Sequence, residues 1–436
     1  MVLEKRRFIQ RCHLVGIGGV SMSALAKYLA GEGVSVSGSD LQRSERTEEL
    51  EKLGVRFFLG HHKEQVEGAE VVVVSSAVKP DNEEICYALQ KGIPVLSRTE
   101  AWHDIMARYL HSVGVAGSHG KTTCTAMLSH IFLAGGESFT SHIGGDDAEL
   151  GNFANYGRVF FVTEACEYKR NLLNLIPETA ILLNVDRDHM ECYRGEDDLR
   201  ETFFRFCREA KRAIVLADLP LEGGITFGIG KGDYRAVRLK ERKERYSFLI
   251  EEYGKPLVRV RLKVMGRHNV LNALAACAAA RQYGISPLFV KKGLEAFRGV
   301  KRRFEKIGTY RGAEVICDYA HHPREISAVL RTFEKRKKKL FIVFQPHTYS
   351  RTKLLFSDFV NALEGFRPVL YRTYPAREEY DEAGSAKTLS LAIKNSRYAD
   401  SERELKSLMK EEVKGNMTVL FLGAGDVYDV AKRIIY

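Results

Sequence analysis

The run Gly117-Ser118-His119-Gly120-Lys121-Thr122-Thr123 carries the densest chemical potential in this chain. It follows an apolar, strand-like stretch at 112–116 and opens a helical pattern at 121–133. A glycine-rich turn between strand and helix offers backbone N–H groups and the positive end of a helix dipole, both of which favour phosphate. Lys121 would neutralise β- and γ-phosphate oxygens, and Thr122 or Thr123 would offer a hydroxyl to Mg²⁺. The spacing departs from the strict phosphate-loop pattern, because Val115 stands where the first glycine would be.

A phosphate loop needs a metal partner. Val159-Phe160-Phe161-Val162-Thr163-Glu164 reads as an apolar strand ending in an acid, placed to hold Mg²⁺ or its water. Ile181-Leu182-Leu183-Asn184-Val185-Asp186-Arg187-Asp188-His189 likewise sets polar groups past a strand end, the edge where ligands gather in parallel sheets. A second glycine-rich turn, Gly16-Ile17-Gly18-Gly19-Val20-Ser21-Met22, has Asp40 at the end of the next strand. Ser21 replaces the third glycine of the dinucleotide pattern, so the turn points to a pyrophosphate more than to NAD. Asp318-Tyr319-Ala320-His321-His322-Pro323 and Gln345-Pro346-His347-Thr348-Tyr349-Ser350-Arg351 also follow strands and precede helices. Their histidines have no third ligand at metalloprotease spacing, so zinc is not indicated.

These residues require α/β units to position them. Apolar stretches at 13–15, 34–37, 71–75 and 95–96 alternate with helical patterns at 22–30 and 83–91. Further strands are predicted at 159–163, 180–185 and 213–217, then an antiparallel hairpin edge across 234–264 and an Ala-rich helix at 269–282. After a basic linker at 298–303 come strands at 315–318, 340–344, 369–371 and 419–422. Three α/β domains in series account for the 436 residues.

Composition narrows the class. With 45% hydrophobic and 28% charged residues, the chain is neither disordered nor fibrous. No apolar run approaches the ~20 residues of a membrane helix, and the charged start at 1–7 does not resemble a secretory signal. The eight cysteines form no CxxC pair and behave as small hydrophobes, so a soluble intracellular protein is expected. The net charge of +11 concentrates in mixed-sign runs at 238–245 and 334–339, which read as solvated faces without interleaved aromatics. Nucleic-acid binding and membrane insertion are therefore not expected.

Together these motifs resemble the Mur ligases, ATP-dependent amide-forming ligases that build the peptide stems of peptidoglycan. The likeness runs along nearly the whole chain. It implies a Rossmann-like N-terminal domain binding a UDP substrate (1–108), a P-loop-type central ATPase domain (109–298) and a Rossmann-like C-terminal domain binding an amino acid (299–436). Gly16, Gly18, Gly19 and Ser21 would receive the UDP pyrophosphate, with Asp40, Ser75 and Ser76 near the nucleoside. Gly117, Ser118, His119, Gly120, Lys121, Thr122 and Thr123 would bind ATP, with Asn269, Asn272, Arg302, Arg303, Asp318 and His321. Thr122, Glu164 and His189 would hold Mg²⁺ or Mn²⁺; His347, Tyr349, Arg351 and Tyr374 would receive the amino acid.

The segment 345–351, with Tyr374-Pro375-Ala376 and Gly423-Ala424-Gly425-Asp426, is similar to the branch that adds L-alanine to UDP-N-acetylmuramate. The resemblance therefore implies a cytoplasmic enzyme of cell-wall biogenesis, serving cell shape and division, that is a monomer or weak homodimer. Its route would be an acyl phosphate, with Lys121, Glu164, His189, Arg303 and His347 as catalytic groups and His347 as general base. Closure of the domains would use the basic linker as a hinge. Three departures stand out. Glu164-Ala165-Cys166-Glu167-Tyr168-Lys169-Arg170 replaces the commoner Glu-Ala-Asp-Glu-Ser-Asp, and Thr348 stands where a basic residue is more usual. Phe203-Phe204-Arg205-Phe206 lies, as in the alanine-adding branch, where related ligases carry a carbamylated lysine. The alternatives are a related ligase that adds another amino acid or a murein tripeptide, an NAD-dependent oxidoreductase using the first turn, and a nucleotide-gated binding protein.

Overall fold

The computed structural model describes residues 9–242, 245–334, 339–376 and 378–436. The charged start at 1–7, and residues 243–244 and 335–338 of the two charged runs, lie outside the described residues. The chain forms two compact units, Met1–Arg298 and Gly299–Tyr436. The first carries two sheets and the second carries one. No helix among the described residues is long and apolar enough to cross a membrane.

The first sheet is wholly parallel, in the order Arg56–Leu59, Ser35–Asp40, Arg11–Val15, Val71–Val74, Val95–Ser97. That is the expected Rossmann-like order, with the first strand central and the chain crossing over on either side of it. Val71, Val72 and Val73 are buried, which suits a strand covered on both faces. Gly16 follows the central strand with φ +81° and begins the turn into the helix Val20–Gly31. That helix buries Met22, Leu25, Tyr28 and Leu29. The helix Arg98–Met106, opened by a Ser97–Glu100 capping box, buries Trp102.

The ten-stranded second sheet is centred on His111–Ala116, flanked in parallel by Phe160–Glu164 and Thr179–Leu182. Val115 pairs with Glu164 and Ala116 with Leu182, so three chain segments leave the same sheet edge side by side. The helix Lys121–Gly135 packs on this sheet and against two further helices, His268–Gln282, which also lies on the sheet, and Pro287–Ala296. Gly293 permits the closest approach: a Cβ there would lie 2.4 Å from the Ile131 Cα.

Two parts of this sheet differ from the sequence expectation. The hairpin predicted across 234–264 is a three-stranded antiparallel meander, Tyr234–Arg242, Arg245–Glu252 and Lys255–Met265. Its second reversal is made by Tyr253 and Gly254, both left-handed, as a two-residue hairpin turn demands. The strands Phe139–Asp147 and Gly151–Asn155 were not anticipated, because Gly, Asp and Asn dilute their β signal.

In the second unit the sheet order is Glu305–Tyr310, Ala313–Asp318, Thr418–Leu422, Leu340–Phe344, Val369–Tyr371, Arg397–Ala399. All pairs are parallel except the first, which supports the Rossmann-like expectation. Asp318, Leu422 and Phe344 are level in the register. The segments after Asp318, Phe344 and Leu422 therefore emerge at one edge.

Candidate functional site

The Gly117–Thr123 turn sits where the central strand of the second sheet meets its helix. Gly117 (φ +142°) and Gly120 (φ +86°) adopt backbone that L side chains resist. A Cβ on Gly120 would meet Asn272 Oδ1 at 2.6 Å, so the turn rests against the Ala-rich helix. Asn272 in turn donates to Asn269 Oδ1 (3.0 Å), and Asn269 donates to the Met265 carbonyl (2.6 Å). The two predicted asparagines thus brace the turn. Across the sheet edge, His119 N–H donates to Asn184 Oδ1 (2.8 Å), and the Asn184 amide donates back to the His119 carbonyl (2.9 Å). Ser118 Oγ accepts from Asp186 N–H at 2.9 Å. Thr122 is buried in the first helical turn.

Lys121 Nζ donates to both carboxylate oxygens of Glu167, at 2.9 and 3.1 Å, and to the Gly117 carbonyl at 2.5 Å. Burial works against the ammonium, but Glu167, with smaller help from Cys166 and Glu164, outweighs it and holds the lysine pKa above its usual value. Glu167 also belongs to the group Glu167, Asp188 and His189, whose ligand atoms lie within 4.8 Å of one another. Glu164, the acid singled out at its strand end, stands outside this group. Its Oε1 accepts from Gly144 N–H at 2.5 Å instead. Both Glu167 and Asp188 follow strand ends, but sequence patterning alone assigned a role to neither. Their strand-end positions were the available signal, and only folding shows which acid faces the lysine.

In the first sheet, Gly16 and Ile17 N–H both donate to the Ser39 carbonyl (2.9 and 3.0 Å). Gly18 N–H donates to Asp40 Oδ2 at 2.9 Å, so Asp40 braces the turn directly. Ser75 lies under Gly16, where a Cβ would come within 2.9 Å of it, while Ser76 is exposed. Ser21 Oγ accepts from the Trp102 indole N–H (3.2 Å), a contact the sequence did not suggest. Trp102 stacks on His142 (4.7 Å between centroids), whose Nδ1 is 2.9 Å from Thr163 Oγ1, next to Glu164. Burial, with Arg98 nearby, lowers the His142 pKa to about 3, so this imidazole stays neutral.

In the second unit, Asp318 is buried and accepts from Ala320 N–H (2.8 Å) and Phe304 N–H (2.7 Å). Burial raises its pKa to about 6, against the opposing pull of Arg303. His347 bridges to Tyr374 and stacks on its ring (5.4 Å), with His321 edge-on at 5.8 Å. Arg303 lies over the Tyr319 ring at 5.1 Å, and Arg302 lies over Tyr428 at 4.6 Å. Tyr349 and Arg351 begin the short helix Tyr349–Leu354, behind a Thr348 strained at φ +68°. A cavity of about 780 Å³ opens beside Tyr349 and Tyr374, lined also by Gln345, Arg372, Tyr380 and Asp426. Buried Gln345 ties this edge together: it donates to Asp426 Oδ1 (2.6 Å) and accepts from Val427 N–H (3.0 Å).

The sequence matches the Mur ligase family, catalytic domain, over residues 11–110, the Mur ligase middle domain over 115–280, and the Mur ligase, glutamate ligase domain over 302–425. It is 38% identical to the UDP-N-acetylmuramate--L-alanine ligase of Aquifex aeolicus, covering 97% of this chain and 96% of that relative. With the protein of the same name from Clostridium acetobutylicum it shares 36% identity, over 99% of this chain and 98% of the relative. Among solved structures, the UDP-N-acetylmuramate-alanine ligase of Thermotoga maritima aligns with a TM-score of 0.84 at 31% identity, covering 98% of both chains. With three domains matched in order and full-length relatives above 30% identity, the chain belongs to the Mur ligase family of ATP-dependent, amide-forming ligases.

Proposed function

We propose that this chain joins L-alanine to the carboxylate of UDP-N-acetylmuramate in an ATP-dependent, cytoplasmic step of peptidoglycan-precursor synthesis. The observation that carries this reading is the full-length likeness to relatives of that activity, combined with the Lys121 loop beside an acid-and-histidine group.

In this mechanism a muramate carboxylate oxygen attacks the γ-phosphorus of ATP, and ADP leaves. The alanine amine then attacks the acyl carbon, phosphate leaves, and the amine gives up a proton. Phosphoryl transfer asks a protein for positioning and charge neutralisation more than for a nucleophile. We assign the Gly117–Thr123 turn, Asn269 and Asn272 to holding ATP, and Lys121 to the β/γ oxygens. The Gly16–Ser21 turn, braced by Asp40, holds the UDP pyrophosphate, with Ser75 and Ser76 near the nucleoside. We assign Thr122, Glu164 and His189 to Mg²⁺ or Mn²⁺; Glu167, Asp188 and His189, whose ligand atoms lie within 4.8 Å of one another, offer hard oxygens and an imidazole that would suit such an ion. That ion supplies charge neutralisation on the phosphate oxygens when bound. In the C-terminal unit we assign Arg302, Arg303, Asp318 and His321 to ATP. His347, Tyr349, Arg351 and Tyr374 take the amino acid, with His347 accepting the amine proton.

The test is a phosphate-release panel with ATP, UDP-N-acetylmuramate and each amino acid in turn. Alanine should give the largest stimulation. A different amino acid, or a murein tripeptide, acting well above alanine would overturn the substrate assignment.

A further inference from the structure

The segment 166–170 builds a clamp on Glu167. Lys169 (φ +51°) and Arg170 (φ +57°) are consecutive side-chain-bearing residues in the left-handed region, a backbone that persists only when it is held. The Arg170 guanidinium supplies the hold. It donates to Asp198 Oδ2 at 2.6 Å and Thr202 Oγ1 at 2.8 Å, both on the helix Glu196–Glu209, and it lies 5.0 Å over the Tyr193 ring. Two donors from this assembly converge on one acceptor. Arg170 N–H and Tyr193 O–H both donate to the Glu167 carbonyl, at 2.8 and 2.5 Å. From there the Glu167 side chain reaches the Lys121 ammonium through both of its oxygens.

We propose that Arg170 is a positioning residue: through Asp198, Tyr193 and the Glu167 carbonyl it sets the carboxylate that aims Lys121 at the transferring phosphoryl group. A lysine on four rotatable bonds is a flexible point charge, and its value to a developing phosphoryl charge depends on being pre-aimed. The proposal rests on the ligase reading above. The clamp differs from an ordinary surface ion pair because its far end meets a backbone carbonyl in the same residue that grips the catalytic lysine.

The experiment compares Arg170→Ala, Arg170→Lys and, as a surface control on the helix that carries Asp198 and Thr202, Arg205→Ala, whose partner is Glu209. Arg170→Ala should lower kcat for alanine-dependent phosphate release by about 10- to 100-fold and raise KM for ATP, leaving KM for UDP-N-acetylmuramate unchanged. Arg170→Lys should recover part of kcat, and Arg205→Ala should match the parent. In a Glu167→Gln background, Arg170→Ala should cost nothing further. Parental kcat in Arg170→Ala, or losses that simply multiply with Glu167→Gln, would overturn the proposal. Should Arg170→Ala fail to fold, Tyr193→Phe removes one of the two donors to the Glu167 carbonyl and is read in the same way. If the parent protein shows no alanine-dependent release, the ligase reading fails. The clamp is then tested by Mg²⁺–ADP affinity, which Arg170→Ala should weaken and which, if unchanged, overturns it.

Discussion

The Lys121 ammonium and the Glu167 carboxylate form a two-pronged pair at 2.9 and 3.1 Å, with side chains only 15% and 2% exposed. Lys121→Met should abolish alanine-dependent phosphate release, by at least about 100-fold, because a preorganised cation is lost from the phosphate site. It should also destabilise the protein by about 3–5 kcal/mol, since buried Glu167 loses the ammonium that both of its oxygens accept from. Steady-state turnover and urea unfolding measure the two effects. Near-parental turnover in the folded variant would refute the phosphate role.

Gly120 and Gly136 both have positive φ, but only Gly120 is crowded. Alanine at Gly136 (φ +71°, open space) should cost about 1–2 kcal/mol of backbone strain and leave KM for ATP alone. Alanine at Gly120 (φ +86°) carries the same strain and drives a methyl to 2.6 Å from Asn272 Oδ1. It should cost more stability and raise KM for ATP by about tenfold or more. Thermal melts and ATP titrations of the two variants separate strain from clash.

Asp188→Asn and His189→Ala should each raise the Mg²⁺ concentration for half-maximal turnover, by about 10- to 100-fold. Each removes a member of the one group of described ligand atoms within 4.8 Å of one another. A Mg²⁺ titration at saturating ATP decides it, and an unchanged midpoint in both variants would remove this group from the metal assignment.

Trp102→Phe keeps the stack on His142 and deletes the indole N–H that Ser21 Oγ accepts. A neutral hydrogen bond contributes about 0.5–1.5 kcal/mol, so UDP-N-acetylmuramate affinity should fall about 2- to 10-fold. Calorimetric affinity for ADP should not change. An unaltered UDP-substrate affinity would argue against Ser21 as a ligand contact.

Burial holds the Asp318 carboxyl up at about 6. Between the ordinary aspartate value near 4 and about 6, the folded protein keeps a proton that the unfolded chain has released. The Asp318 contribution to stability is therefore largest below that window, falls as pH rises through it, and is level above it. A carboxyl ¹³C titration should place the Asp318 midpoint near 6. A midpoint in the usual aspartate range would contradict the burial argument.

Much of this protein is written in its order of residues. Val71–Val74 and the Ala-rich stretch at 269–282 declare buried strand and helix by composition, because β-branched runs and small helix formers leave few other options. The two glycine-rich turns, each between a strand and a helix, are legible as the candidate phosphate sites, since backbone N–H groups and a helix dipole are local properties. Polar, glycine-diluted strands such as Phe139–Asp147 hide from such a reading, because a neighbouring sheet stabilises them more than their own propensity does.

Which acid serves the lysine is a different kind of fact. Glu164 and Glu167 lie three residues apart in one segment, and the strand-end rule favours Glu164. The fold seats Glu164 on Gly144 and turns Glu167 onto Lys121, Asp188 and His189. The local sequence determined that a lysine, a glycine turn and several carboxylates would meet at one sheet edge. Their pairing is a tertiary fact, because Lys121 and Glu167 come from separate segments of the chain that meet only when the sheet assembles.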